Sequence, residues 1–94
     1  MRQLKKLDGM YKIQVEKKAQ KDLDAIPEKF RKAIYEKVKS LAENPRPEGV
    51  KKLKGNKSTE YRIRHGDYRI IYEIKDHVLI ILIVKVGHRR NIYR

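Results

Sequence analysis

The chain begins with a short alternation of apolar and polar residues and then changes to a helical period. Residues 11–15 (YKIQV) alternate and predict a first strand. Apolar residues then recur at three- to four-residue spacing over residues 16–26 and again over 28–43, as on one face of a helix. Pro27 ends the first helix and begins the second, because proline is tolerated only in the first helical turn. Residues 44–47 (NPRP) end the second helix.

The second half of the chain returns to the period of two that is typical of strands. Residues 60–65 and 68–75 flank Gly66-Asp67, a two-residue hairpin turn with glycine first. Asp76-His77 predicts a second tight connection. Residues 78–86 (VLIILIVKV) are apolar without alternation, which predicts a central strand buried on both faces.

These elements predict an α+β fold in the order β-α-α-β-β-β. Two antiparallel helices are expected to pack on one face of a small, mainly antiparallel, twisted sheet. With 94 residues there is room for one core, so residues 1–94 are predicted to form a single domain. Residues 1–9 are interpreted as a loose N-terminal extension without an assigned role, and the basic segment 51–58 (KKLKGNKS) as a loop.

The charge of the chain is high and unbalanced. There are 25 Lys and Arg residues against 12 Asp and Glu residues, which gives a net charge of +13. Such a field favours polyanions: nucleic acid, an anionic membrane surface or an acidic protein. A surface tuned for heat tolerance would carry both signs, as ion-pair networks require. The imbalance therefore favours nucleic acid or an acidic partner.

Several classes of protein do not fit the composition. The chain has no cysteine, which excludes a disulfide framework and a thiolate metal site. Residues 1–9 lack the apolar core of a signal peptide, and the longest apolar run, 78–84, is too short to span a membrane. We therefore expect a cytoplasmic protein with no membrane partner.

The hairpin turn fixes which way three arginines point. If Gly66-Asp67 is the turn, Arg64 lies opposite Arg69, and alternation places Arg62 on the same face as both. The other face, beneath the helices, is predicted to carry Tyr61, Ile63, Ile70, Tyr72 and Ile74. Directly opposed like charges destabilise a strand pair by roughly 0.2–1 kcal/mol. Because guanidinium groups hold phosphate in bidentate geometry, we interpret the arginine face as a phosphate site.

The C-terminal residues are predicted to extend this site. Gly87 ends the last strand and delivers His88, Arg89 and Arg90 to an end of the same sheet, with Tyr93 within reach. All are expected on one concave basic face with the three hairpin arginines. Four lysines of the 51–58 segment and one arginine of the tail are candidates for further contacts to a polyanion: Lys51, Lys52, Lys54, Lys57 and Arg90.

The residue inventory limits the chemistry of such a face. It offers no paired carboxylates, no metal-ligand spacing, no phosphate-binding glycine loop and no serine triad. Cleavage of RNA by its own 2′-hydroxyl needs none of these, nor a metal or another cofactor. Arginines would stabilise the pentacoordinate phosphate. His88 and Tyr93 are the candidates for general acid–base catalysis, and Tyr93 has the alternative of stacking on a base.

Three stretches of the chain resemble a known family. The segments KKLKG, YRIRHGDYRIIYEI and VLIILIVKVGHRRNIY, together with the N-terminal β-α-α pattern, are similar to RelE-type toxins of the RelE/ParE toxin–antitoxin superfamily. The resemblance extends from Tyr11 to the end of the chain. It implies a metal-independent endoribonuclease that enters the ribosomal A site and cuts mRNA by 2′-hydroxyl attack, which leaves a 2′,3′-cyclic phosphate and a 5′-hydroxyl.

The resemblance also implies partners and site residues. The expected partners are the ribosome, mRNA and an acidic RelB-like antitoxin; the toxin is expected to be monomeric alone and to form a higher-order complex with the antitoxin. The active-site positions of the family fall on Arg62, Arg64, Arg69, Arg89 and Tyr93.

The sequence departs from the family pattern in two ways. Some members carry lysine at the positions of Arg62 and Arg64, and arginine cannot titrate near neutrality as a crowded lysine can. The general-base role therefore moves to His88 or Tyr93. The chain stops at Arg94, so regulation by displacement of a helix after Tyr93 is expected to be missing.

Two alternatives to the ribonuclease stay open. A ParE-like toxin on the same fold would inhibit DNA gyrase by binding it, without nuclease activity. A non-catalytic RNA- or DNA-binding module would lose affinity, but no cleavage, when the site is changed. The converging arginines with the GHRR…Tyr segment favour the ribonuclease, because a gyrase inhibitor does not need them.

Overall fold

The computed structural model describes residues 10–53, 59–88 and 90. Its strands and helices follow the predicted order, with one additional short strand. We label the strands β1–β5 and the helices α1 and α2 in chain order. Their bounds are β1 Lys12–Val15, α1 Lys17–Asp24, α2 Glu28–Ser40, β2 Lys51–Lys52, β3 Glu60–His65, β4 Tyr68–Lys75 and β5 Ile80–His88.

The five strands form one mixed sheet in the order β1-β5-β4-β3-β2. Only β1 runs parallel to its neighbour β5; the other three pairings are antiparallel. The two helices cover one face, where residues from both helices and from β3, β4 and β5 form one core. The predicted fold class, two helices on one face of a mainly antiparallel sheet, is confirmed.

Apolar burial defines the face of the sheet beneath the helices. Its strand residues are Ile63, Ile70, Tyr72, Ile74, Ile81, Ile83 and Val86, and the helical segment contributes Ala19, Leu23, Ile26, Ile34, Val38 and Leu41. Tyr72 is fully buried, yet its hydroxyl donates a hydrogen bond of 2.7 Å to the carbonyl oxygen of Pro45. Burial raises the pKa of Tyr72, so this group stays a neutral donor.

Both helices are shorter than predicted at their C-terminal ends. Helix α2 ends at Ser40, and the N–H groups of Leu41 and Ala42 bond to carbonyls three residues back, at 3.1 Å each. This tighter turn replaces the last α-helical turn. Ile26 lies beyond α1 but remains in the core.

Two predictions about the strands were wrong. The segment 51–58 is not entirely a loop, because Lys51–Lys52 form an edge strand against β3. The last strand begins at Ile80 after a 3-10 turn, Asp76–Val78, and is not buried on both faces. The helices cover only one side of the sheet, so Leu82 and Val84 on β5 are partly exposed.

A polar cluster joins distant segments at one end of the sheet. Asp76 accepts hydrogen bonds from the Tyr11 hydroxyl at 2.5 Å and from Arg46 Nη2 at 2.9 Å. Arg46 also donates to the Tyr61 hydroxyl at 3.3 Å and lies over that ring. The hydrogen bonds from Arg46 and then Tyr11 lower the pKa of Asp76. The cluster ties β1, β3, the 44–50 segment and the turn before β5 together.

Candidate functional site

The register of the β3–β4 hairpin places the three arginines as predicted. Arg64 pairs with Arg69, and Arg62 pairs with Ile71. Gly66 has φ +61°, and Asp67 has a negative φ. A positive φ at the first turn residue alone is the pattern of a type II′ turn. The glycine supplies a left-handed conformation that other residues adopt at a cost. The turn thus sets the register, and the register collects the arginines on the face away from the helices.

The three arginines differ in exposure. Arg64 is exposed and Arg62 is half-buried, but Arg69 is only 8% exposed and is the one buried charged residue in the described part of the chain. Arg69 lies between Arg64 on β3 and Gly87 on β5. Gly87 adds no side chain to this face, so Arg64 is the cross-strand side chain that Arg69 meets.

A β-bulge brings a lysine to this face that the sequence analysis missed. Opposite Ile71 and Tyr72 the register of β5 shifts, so that Tyr72 pairs with Ile83 and Ile71 with Lys85. The bulge lets Ile83 and Val86 both face the core although they are three residues apart. Lys85 consequently points to the arginine face. The only signal in the sequence is that a lysine interrupts the apolar run VLIILIVKV.

Four strands contribute to one row across this face. Lys51 on β2 pairs with Arg62, which pairs with Ile71, which pairs with Lys85. Directly paired residues share a face, so this row places three cations on the arginine face. Arg64 and Arg69 form the next row. We call these five cations the basic face: Lys51, Arg62, Arg64, Arg69 and Lys85.

The edge of the basic face continues into a shallow depression of about 350 Å³. It is lined by Lys51, Arg62 and Arg64 and by Lys37 of α2, with Glu48 the one acidic group in its lining. Lys52 pairs with Tyr61 and so shares the helix-facing side. The structure thus brings Lys51 to the predicted site and turns Lys52 away from it.

The expectation that His88 joins the arginines on one face was wrong. His88 pairs with Tyr68, and both lie on the helix-facing side together with Val86, because Gly87 occupies the intervening position. The His88 ring contacts Tyr68 edge-on, with centroids 5.7 Å apart. Its Nδ1 accepts a hydrogen bond of 3.3 Å from the backbone N–H of Arg90. In a neutral imidazole this places the proton on Nε2.

The remaining predicted site residues divide into two groups. Arg90 is described and exposed. Arg89, Tyr93, Lys54 and Lys57 lie outside the described residues.

The described residues show neither a metal-ligand cluster nor a membrane-spanning helix. No three His, Asp or Glu side chains in residues 10–53, 59–88 and 90 are grouped as metal ligands would be. Within the same ranges, neither helix has the length and apolarity needed to cross a membrane.

A family model and known relatives match nearly the whole chain. The family described as "ParE toxin of type II toxin-antitoxin system, parDE" matches residues 13–93. Toxin RelE of Mycobacterium tuberculosis is 33% identical over 88 residues, which cover 93% of this chain and 90% of that protein.

Solved structures agree with this match. The archaeal RelE–RelB complex from Pyrococcus horikoshii superimposes with a TM-score of 0.76 at 30% identity, covering 87% of this chain and 98% of that one. The RelB–RelE antitoxin–toxin complex from Methanococcus jannaschii gives a TM-score of 0.67 at 32% identity, over 85% and 94% of the two chains. This chain therefore belongs to the RelE/ParE superfamily of type II toxin–antitoxin toxins and is a toxin of the RelE type.

Proposed function

We propose that this toxin is a ribosome-dependent endoribonuclease that cuts mRNA in the A site. The observation that carries the proposal is the direct cross-strand pairing of Arg64 with Arg69 on a face where Arg62 and Lys85 occupy the adjoining row. Directly opposed like charges destabilise a strand pair by roughly 0.2–1 kcal/mol. A phosphodiester that gains negative charge in the transition state would offset that cost.

The reaction follows from the substrate's own chemistry. The 2′-oxygen attacks the adjacent phosphorus, the O2′–P bond forms and the P–O5′ bond breaks. A general base takes the 2′ proton, and the leaving 5′-oxygen receives a proton. The products are a 2′,3′-cyclic phosphate and a 5′-hydroxyl.

We assign the roles of the residues from their chemistry and, for the described residues, from their position in the sheet. Arg62, Arg64 and Arg69, together with Arg89, hold the phosphate and stabilise its added charge, and they cannot act as bases. His88 lies across the sheet from the basic face and accepts a hydrogen bond at Nδ1. We therefore propose that Tyr93, one of the family's active-site positions, carries out proton transfer, and that His88 does not take part in it.

The partners we propose are the ribosome, mRNA and an acidic RelB-like antitoxin in the cytoplasm. The net charge of +13 suits both the anionic ribosome and an acidic protein. The matched toxins from Pyrococcus horikoshii and Methanococcus jannaschii are in complex with RelB. We propose that this toxin is a monomer alone and forms a higher-order complex with its antitoxin.

The test is cleavage of an end-labelled message in a translation extract. Wild-type protein should cut at defined positions only when ribosomes are present. Arg64→Ala should lower the cleavage rate about 100-fold, as expected for loss of one group that stabilises transition-state charge. Lys39→Ala is the matched control, because Lys39 is an exposed cation on α2 whose ion pair with Glu36 is 3.8 Å long. Equal loss in both variants, or cutting without ribosomes, would contradict the proposal.

A second candidate is inhibition of DNA gyrase. The specific observation in its favour is that the family whose model matches this chain is named after the ParE toxin. A gyrase supercoiling assay with the same protein samples separates the two. Intact message together with gyrase-dependent DNA breaks would replace the ribonuclease proposal with this one.

A further inference from the structure

The shallow depression beside the basic face collects cations from three elements. Its lining includes Lys51 of β2, Arg62 and Arg64 of β3 and Lys37 of α2, around a volume of about 350 Å³. Glu48 is the one acidic group in the lining. We call this site the edge depression. Four cations against one carboxylate favour an anionic ligand.

The sheet is open at this edge. Strand β2 has only two residues, of which Lys51 pairs with Arg62, so β3 has no described strand on this side from Ile63 onward. Gly49 also lines the edge depression, and no atom beyond its chain neighbours lies within 4 Å of the position that a Cβ would take there. The edge therefore leaves room for a ligand beside the backbone of β3.

One backbone donor points to the open edge. A two-residue turn makes His65 and Tyr68 a hydrogen-bonded pair, and such pairs alternate along an antiparallel ladder with pairs that are not hydrogen-bonded. Arg64 and Arg69 are therefore a pair of the second kind, so the backbone N–H of Arg64 points away from β4. Backbone N–H groups and cationic side chains are the donors that proteins use for the phosphates of nucleic acids.

Lys37 is the lysine of α2 that lies at this edge. It is half-buried, whereas Lys29, Lys32 and Lys39 on the same helix are exposed. Lys39 lies 3.8 Å from Glu36, but no ion pair among the described residues includes Lys37. The charge of Lys37 therefore adds to that of the cations on β2 and β3.

We propose that the edge depression binds a second phosphate of the message, next to the phosphate that lies on the basic face. This inference rests on the proposed function and adds to it the path of the RNA, which leaves the basic face over the β2 edge towards α2. Lys51, Arg62 and Arg64 belong to both surfaces. An acidic protein segment is the competing occupant, but consecutive phosphates of one RNA strand are covalently fixed neighbours, as the two surfaces are.

The test measures binding of the toxin to ribosomes programmed with messages in which one linkage at a time is an uncharged methylphosphonate. A 2′-O-methyl group at the cleavage position blocks the reaction, so the affinity reports binding alone. For the wild type, neutralising the scissile linkage or one adjacent linkage should lower the affinity about tenfold, as expected for loss of one contact with a charged group. Lys37→Ala should bind about tenfold more weakly. It should no longer respond to the adjacent linkage but should still respond to the scissile one.

Three further variants act as controls. Lys39→Ala removes an exposed lysine of α2 that does not line the edge depression, and it should respond to both linkages as the wild type does. Lys37→Arg keeps the cation and should restore the affinity. Glu48→Gln removes the one carboxylate of the lining and should strengthen binding about twofold, as expected for an exposed charge. Thermal melting confirms that each variant is folded.

The possible results separate the second phosphate site from the nuclease. If Arg64→Ala impairs cleavage while Lys37→Ala keeps the wild-type affinity and responds to both linkages, the second site is refuted and the nuclease proposal stands. If Lys37→Ala binds more weakly but still responds to both linkages, Lys37 contacts the ribosome itself and the inference fails. If Lys37→Ala weakens only the complex with an acidic antitoxin, the edge depression is a protein site and the inference also fails. If the wild type neither cuts nor binds programmed ribosomes, both proposals fall.

Discussion

Strand β5 determines both what lies opposite Arg69 and which face of the sheet Lys85 occupies. Arg69 lies across from Gly87, which adds no side chain to this face, and the Arg69 side chain itself is buried. Lys85 reaches the basic face because the β-bulge turns it away from the core. At the scale of single residues, the number of cations on this face depends on the extra residue in β5 as well as on the arginines of the hairpin.

Lys85→Ala should weaken RNA binding and its dependence on salt. Removing one phosphate contact is expected to lower the slope of log K against log salt by about 0.7, because fewer counterions are released. Lys75→Ala is the matched control: Lys75 also lies on the open face of β4, but near the far end of the sheet, with Glu73 at 4.0 Å. Titration of programmed ribosomes at several salt concentrations gives both slopes. Equal slopes for Lys85→Ala and wild type would show that Lys85 makes no contact with a phosphate.

The β3–β4 hairpin is the element that organises the site. Its bounds, its two-residue turn and its register were all predicted from the sequence, because a Gly-Asp pair between alternating strands leaves few other pairings. The two-residue strand β2 was not predicted, since two lysines carry no alternation and their pairing with Tyr61 and Arg62 is not local.

Gly66→Ala should destabilise this hairpin by about 1–2 kcal/mol, the usual cost of a left-handed conformation for a residue with a Cβ. No atom beyond its chain neighbours lies within 4 Å of an added Cβ, so the cost is conformational rather than steric. Gly66→Asn is the matched control, because asparagine tolerates positive φ better and should lose less. Urea unfolding measures the difference. An alanine variant as stable as the wild type would show that φ +61° is not required.

At the scale of the whole molecule, two groups of charged residues lie at different places on the sheet. The five cations of the basic face lie on the face away from the helices. The polar cluster of Arg46, Asp76, Tyr11 and Tyr61 joins the segments at another place, where β5 begins. We propose the first for binding the phosphate, whereas the second joins segments that are distant in the chain.

The Asp76 cluster predicts a pH dependence of stability. The pKa of Asp76 is lowered in the folded protein, so its contribution is present above the ordinary value of 3.8 and is lost as pH falls through the folded pKa. Wild type should therefore be more stable than Asp76→Asn at neutral pH, and the difference should shrink below about pH 4. Glu36→Gln controls for loss of one exposed carboxylate. A difference that stays constant down to pH 2 in thermal melts would contradict this.

The sequence by itself determined the local parts of this protein: two amphipathic helices broken at Pro27, and a hairpin whose turn sets three arginines on one face. Local steric preference and the period of two suffice for these. Only the tertiary structure decided on which face of the sheet Lys85 and His88 lie. Ile83 and Val86 must both be buried under the helices, and only a bulge in β5 allows that. That requirement comes from packing between elements distant in the chain, which no local pattern records.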